Sequence, residues 1–133
     1  MTAATPSTYM RKAEAALASA RVLLSTGDAD GACNRAYYAM FDAAHAALRA
    51  AKIELPESPI KTHSGLVAMF GLHLVRANQL AAEHGVALNK VQNLRELADY
   101  SGDPVTLENA TWAVAQAEAF VNAIRETFSF GGV

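Results

Sequence analysis

The sequence predicts an all-α domain, an up-and-down bundle of four to five helices. Three observations carry this. Apolar residues recur at gaps of three and four over most of the chain, which is how a helix with one buried face is written. The apolar share is 52% while aromatics make up only 8%, so alanine dominates and favours helices packed at short distance over a β-sandwich. Gly27, Pro56, Pro59 and the run Ser101-Gly102-Asp103-Pro104 fall between the periodic segments and break them.

At 133 residues the chain is one domain, long enough for a single core. It is expected to span 1–133, with residues 1–5 and 129–133 flexible at the ends. Helix one is expected from Thr5 or Ser7, with Pro6 tolerated in the first turn. Met10, Ala13, Leu17, Ala20 and Leu24 then form a heptad-like seam, and Gly27 is a natural stop.

Asp28 or Asp30 can cap helix two, which should run to about Ala51 and organise the rest. Its interior from Asn34 to Leu48 has no glycine or proline. Cys33, Tyr37, Met40, Ala44, Ala47 and Leu48 share its apolar face. Beside them runs a second line, Arg35, Tyr38, Asp42, His45 and Arg49, again at gaps of three and four and without Glu or Lys. This line reads as a polar seam that meets another helix, a second subunit or a ligand.

Residues 52–61 hold two prolines and read as a loop. Thr62 or Ser64 can cap helix three, which carries Leu66, Phe70, His73, Leu74 and Ala77. Its middle is apolar nearly all round, so deep burial is expected. Residues 78–85 have no clear pattern. Helix four buries Ala87, Val91, Leu94 and Ala98 and ends near Tyr100. Thr106 caps helix five, whose seam is Ala110, Val114, Ala117, Val121, Ile124 and Phe128, with Gly131 and Gly132 ending it.

Charge and cysteine usage narrow the function classes. The net charge is −2, so no global basic field attracts nucleic acid, and any such site must be a local patch. The single cysteine, Cys33, excludes an intrachain disulfide and metal-finger spacing; on an apolar face it reads as a small buried hydrophobe. No charged segment followed by an apolar run opens the chain, and no stretch reaches the roughly 18–20 apolar residues of a membrane span. A cytoplasmic protein without membrane contact is expected. Metal and cofactor are expected to be absent: no two histidines lie four apart, and there is no glycine-rich phosphate loop or Gly-x-Ser-x-Gly elbow.

Two segments carry candidate chemistry. In Arg95-Glu-Leu-Ala-Asp99-Tyr100 the Arg and Asp are four apart and can pair on one helix face. An Arg beside a Tyr hydroxyl can also stabilise charge in phosphodiester chemistry; a structural Arg–Asp pair with a packed Tyr is the plainer alternative. In Lys61-Thr62-His63-Ser64-Gly65 the start of helix three offers backbone N–H groups to an anion, and an imidazole such as that of His63 is a candidate acid or base; an ordinary N-cap with a solvated Lys is the alternative.

The segments Arg35-Ala-Tyr-Tyr-Ala-Met-Phe41, Thr62-His-Ser-Gly-Leu66, Arg95-Glu-Leu-Ala-Asp-Tyr100 and Ala117-Glu-Ala-Phe-Val121 occur in this order with helices between them. Together they resemble the HEPN-domain proteins of bacteria and archaea, from about Tyr9 to Phe128. The resemblance implies a helical bundle that is usually a homodimer. It also implies a toxin–antitoxin or phage-defence role beside a minimal nucleotidyltransferase partner, and in many members a metal-independent RNase activity. The family's catalytic motif is an Arg followed by four to six residues and a His, often with a Tyr beyond. Arg95 matches the Arg; Tyr100, Ser101 and Gly102 stand at the His positions. The resemblance thus points to Arg95, with Asp99 and Tyr100 in its motif, as catalytic candidates; the start of helix three adds His63 as a further catalytic candidate and Lys61 and Thr62 as ligand-binding ones, and the polar seam adds Arg35 and Tyr38 for ligand binding. Three readings follow: an RNase toxin, a catalytically silent dimeric module that binds a nucleotide or a partner, and a purely structural helical dimer. Burial of the Arg35, Tyr38 and Asp42 line inside one subunit would favour the third, with Arg35–Asp99 as the expected ion pair.

Overall fold

The computed structural model of the chain describes residues 5–52 and 62–130. They form an all-helical bundle: α1 (Pro6–Ser25), α2 (Ala29–Ala50), α3 (His63–Phe70) continued by a π-helical turn (Gly71–Val75), α4 (Ala82–Ser101) and α5 (Leu107–Thr127). The loop expected over 52–61 lies, beyond Lys52, outside the described residues.

Local chemistry sets the helix ends. The Thr5 hydroxyl accepts the N–H of Thr8, and Pro6 sits in the first turn where its missing donor costs nothing. Gly27 adopts φ +84°, the left-handed conformation that turns the chain out of α1. The next residue, Asp28, caps α2 by accepting the Gly31 N–H at 2.8 Å. A Cβ at position 31 would collide with that same carboxylate, so Gly31 is part of the cap. Asp30, the alternative cap in the sequence, does something else. Its Oδ1 accepts the Val105 N–H at 2.7 Å and ties the α4–α5 turn to the start of α2. Thr62 caps α3 and Thr106 caps α5.

Helix α2 is the centre. It packs against α1, α3, α4 and α5, and twelve of its 22 residues are buried. Alanines at 32, 36, 39, 43, 44, 46 and 47 are fully buried, which lets neighbouring helices approach closely. Cys33 is fully buried among them; burial, reinforced by the Asp30 charge, pushes its thiol up to about 11. Phe70 stacks on Phe120 at 5.4 Å, joining α3 to α5 inside the core.

Helix α3 corrects the expectation of deep burial. It is eight residues long, and only Leu66, Phe70 and, in the π-helical turn, Leu74 are buried. His73 is half-buried and Ala77 exposed, and Leu72 is exposed. The element packs on α2 and α4, so only the stripe facing them is covered, however apolar the rest. Helix α5 stops at Thr127, with Phe128 in extended backbone; Gly131 and Gly132 lie outside the described residues and are not needed to end it.

Candidate functional site

The site is built on Tyr37, a residue that helical periodicity alone assigns to the core. Tyr37 is buried in the face of α2, and two groups from different helices meet on it. The guanidinium of Arg95 from α4 lies over its ring, 4.7 Å from the centroid, and 5.7 Å from the ring of neighbouring Tyr38. At the edge, the Tyr37 hydroxyl is 3.1 Å from His63 Nδ1 at the start of α3. His63 Nε2 is in turn 2.9 Å from Asn89 Oδ1 on α4. Cation–π contact and burial together hold Arg95 in place.

Hydrogen bonds fix the guanidinium further. Arg95 Nε donates to Gln92 Oε1 at 3.0 Å, one turn back along α4. Gln92, itself buried, donates through Nε2 to Glu96 Oε1 at 2.8 Å. Asp99 is at the outer limit of pairing, Oδ2 lying 3.5 Å from Arg95 Nη1. The Arg95 side chain is 20% exposed and that of Asp99 61%. The cation is thus held rigidly by neutral groups and neutralised only loosely, an arrangement suited to receiving an anion from outside.

Burial pushes the Tyr37 phenol up to about 12, against the opposing pull of Arg95. It stays protonated at neutral pH and can either donate to His63 Nδ1 or accept from it. The bond therefore sustains both His63 tautomers.

The other residues singled out by sequence are distributed as follows. Tyr38 is exposed beside Tyr37, with the Arg35 guanidinium 5.8 Å from its ring. Tyr100 is 87% exposed on the last turn of α4, where it lines a shallow groove with Asn93, Glu96 and Leu97. Thr62 uses its hydroxyl oxygen to cap α3, accepting the Gly65 N–H at 3.1 Å. Lys61 lies outside the described residues.

Arg35 and Asp99 form no ion pair; Asp99 faces Arg95 instead, on its own helix. The polar line along α2 is not sealed inside the subunit either. Tyr38 is exposed, Arg35, Asp42 and Arg49 are half-buried, and only His45 is buried. Sequence reasoning missed Tyr37, Gln92 and Asn89. Tyr37 had a signal, since two adjacent tyrosines in an alanine-rich helix present one ring inward and one outward. Asn89 and Gln92 had none, because their roles exist only once α3 and α4 are side by side.

Among the described residues no three His, Cys, Asp or Glu side chains gather as a metal site, and no helix is long and apolar enough to cross a membrane.

Fold and site together describe a helical bundle that carries a stacked, loosely neutralised Arg on α4. The HEPN domain family model matches residues 7–127, and the chain belongs to the HEPN family. Among its relatives is a Methanocaldococcus jannaschii protein named "Putative toxin MJ0605", 36% identical, with the alignment covering 86% of this chain and 81% of the relative. A Gloeobacter violaceus protein named "UPF0332 protein glr0978" is 34% identical, covering 88% and 90% of the two chains. A UPF0332 protein of Thermotoga maritima is 31% identical, covering 89% and 86%.

Proposed function

We propose that this chain is the toxin of a toxin–antitoxin or defence pair and cleaves single-stranded RNA without a metal. The observation that carries this reading is the shared tyrosine: Arg95 lies on the face of Tyr37 and His63 on its hydroxyl. A charge-stabilising group and a titratable group are thereby held together although the family's Arg-to-His spacing is absent.

In this reading the phosphodiester rests on the guanidinium. Substrate displaces Asn89 Oδ1, which accepts from His63 Nε2–H; the ring proton then exchanges through water from Nε2 to Nδ1, where it donates to the Tyr37 oxygen and leaves Nε2 basic. His63 takes the proton of the ribose 2′-hydroxyl, whose oxygen bonds to the adjacent phosphorus. The bond from phosphorus to the 5′-oxygen breaks, and that oxygen leaves as a hydroxyl with a proton from water. Arg95 offsets the charge that develops on the phosphorane oxygens. The products are a 2′,3′-cyclic phosphate and a 5′-hydroxyl end. A homodimer, a nucleotidyltransferase partner and a cytoplasmic location belong to the same reading and rest on the family.

The test is cleavage of single-stranded RNA by chelator-treated protein, with Arg95→Ala and His63→Ala beside it. The expected result is cleavage by the wild type and a loss of about 100-fold or more in each variant. An uncut substrate together with a folded dimer in light scattering favours a second reading, a catalytically silent nucleotide- or partner-binding module. One observation supports that alternative: both His63 nitrogens are engaged within the chain, by Tyr37 and Asn89.

A further inference from the structure

Tyr37 is the first rung of a longer ladder. Its ring lies 5.8 Å from that of Phe41, Phe41 lies 4.9 Å from His45, and His45 stacks on Tyr9 of α1 at 5.0 Å, nearly parallel. Arg95 closes one end of this row. Arg49 closes the other, its guanidinium 4.7 Å from the Tyr9 ring centre and its Nη2 3.5 Å from the Tyr9 hydroxyl. A second cation, Lys12, stands 5.8 Å from the same ring.

At both ends a guanidinium lies 4.7 Å from the centre of a tyrosine ring, but only Arg95 meets a carboxylate, that of Asp99. Arg49 forms no ion pair among the described residues, and its Nε is buried without a hydrogen-bond partner. A buried donor left unpaired is rare enough to need an explanation. The carboxylate on this part of α2, Asp42, faces Lys12 and Arg35 and is itself held above its ordinary range by burial. Lys12, Arg35 and Arg49 outnumber Asp42 here, which leaves a local excess of positive charge on a chain whose net charge is −2.

We propose that Arg49, Lys12 and Tyr9 form a second phosphate subsite, reached by a single strand that crosses the α2 face from Arg95. This inference rests on the reading that Arg95 receives a phosphodiester. From Tyr38 to Arg49 the helix rises about 16 Å at about 1.5 Å per residue. A stacked strand advancing about 3.4 Å per nucleotide covers that span with about five nucleotides. Exposed Tyr38 at the Arg95 end and half-buried Phe41 between the two ends offer ring surface to the bases.

The experiment is equilibrium binding by fluorescence anisotropy of uncleavable 2′-O-methyl oligonucleotides, a dinucleotide and an octanucleotide, to the full chain. The wild type should bind the octanucleotide about tenfold or more tightly than the dinucleotide. Arg49→Gln and Lys12→Gln should each narrow that ratio, and each should lower the salt dependence of octanucleotide binding by about 0.7 in log–log slope, the share of one phosphate contact. Lys12 is exposed, so Lys12→Gln tests the subsite even where Arg49→Gln disturbs the packing on Tyr9. Wild-type ratios and slopes in both variants overturn the subsite. Equal affinity of the wild type for the two lengths also overturns it and leaves the Arg95 reading standing. No binding of either length removes both.

Discussion

The guanidinium of Arg95 rests on the ring of Tyr37, 4.7 Å from its centre, while the Tyr37 hydroxyl holds His63 at 3.1 Å. One buried side chain thus couples α2, α3 and α4 at the place where Arg95 stands. The two contacts separate cleanly by mutation. Tyr37→Phe keeps the ring beneath Arg95 and removes the bond to His63, so it should cost about 1 kcal/mol of stability and at least tenfold in RNA cleavage. Tyr37→Leu removes the ring and should weaken phosphate binding as well. Chemical denaturation and RNA cleavage, measured side by side, check both; an unchanged cleavage rate in Tyr37→Phe would detach His63 from the reaction.

Cys33 should be inert in the folded protein. Its thiol is fully buried and pushed up to about 11, and only the thiolate reacts. Labelling with a small alkylating reagent at pH 8 should proceed at the rate at which the chain opens, and become fast in denaturant. Rapid labelling of native protein would show that the α2 face is not closed.

Asp42 carries a pH signature. Burial raises its carboxyl above the ordinary value of 3.8, despite Lys12 and Arg35 pulling the other way. Between the ordinary and the raised value the folded chain holds more protons than the unfolded one, so stability from this group is full below 3.8 and is lost as pH rises through the raised value. Asp42→Asn should therefore be more stable than wild type at pH 7, with the difference shrinking toward pH 4. Thermal melts across that range report it; a destabilised Asn variant at pH 7 would mean that Lys12 and Arg35 outweigh burial.

Two kinds of polar contact tie the helices, and they should differ in worth. Asp30 accepts the N–H of buried Val105 at 2.7 Å. Asp30→Ala leaves that donor without its partner and should cost about 1–3 kcal/mol. The ion pairs Arg21–Glu118 and Arg125–Glu14 join α1 to α5 at 2.7 and 2.9 Å, yet their side chains are 40–54% exposed. Breaking either should cost under about 1 kcal/mol, less at high salt. Urea denaturation at two salt concentrations ranks them.

The helices themselves were readable from residue order because their causes are local. Thr5, Thr62 and Thr106 cap three of them through hydroxyl oxygens a few residues away. Gly27 turns the chain by its own backbone freedom. The buried face of α2 follows from spacing alone, since every third or fourth side chain points one way. Deep burial of α3 was misjudged because composition says how apolar a helix is and not how many neighbours surround it.

Residue order alone therefore carries the all-α class, the five helices and the pairs of residues from which most of their caps are drawn. The surroundings of Arg95 come from the packing of the helices. Tyr37, His63, Asn89 and Arg95 lie up to 58 positions apart in sequence, and α2, α3 and α4 bring them within contact of one another. Asp99 rather than Arg35's line on α2 provides the nearest carboxylate, because partners on one helix are four residues apart whatever the fold, whereas partners on different helices depend on how those helices cross.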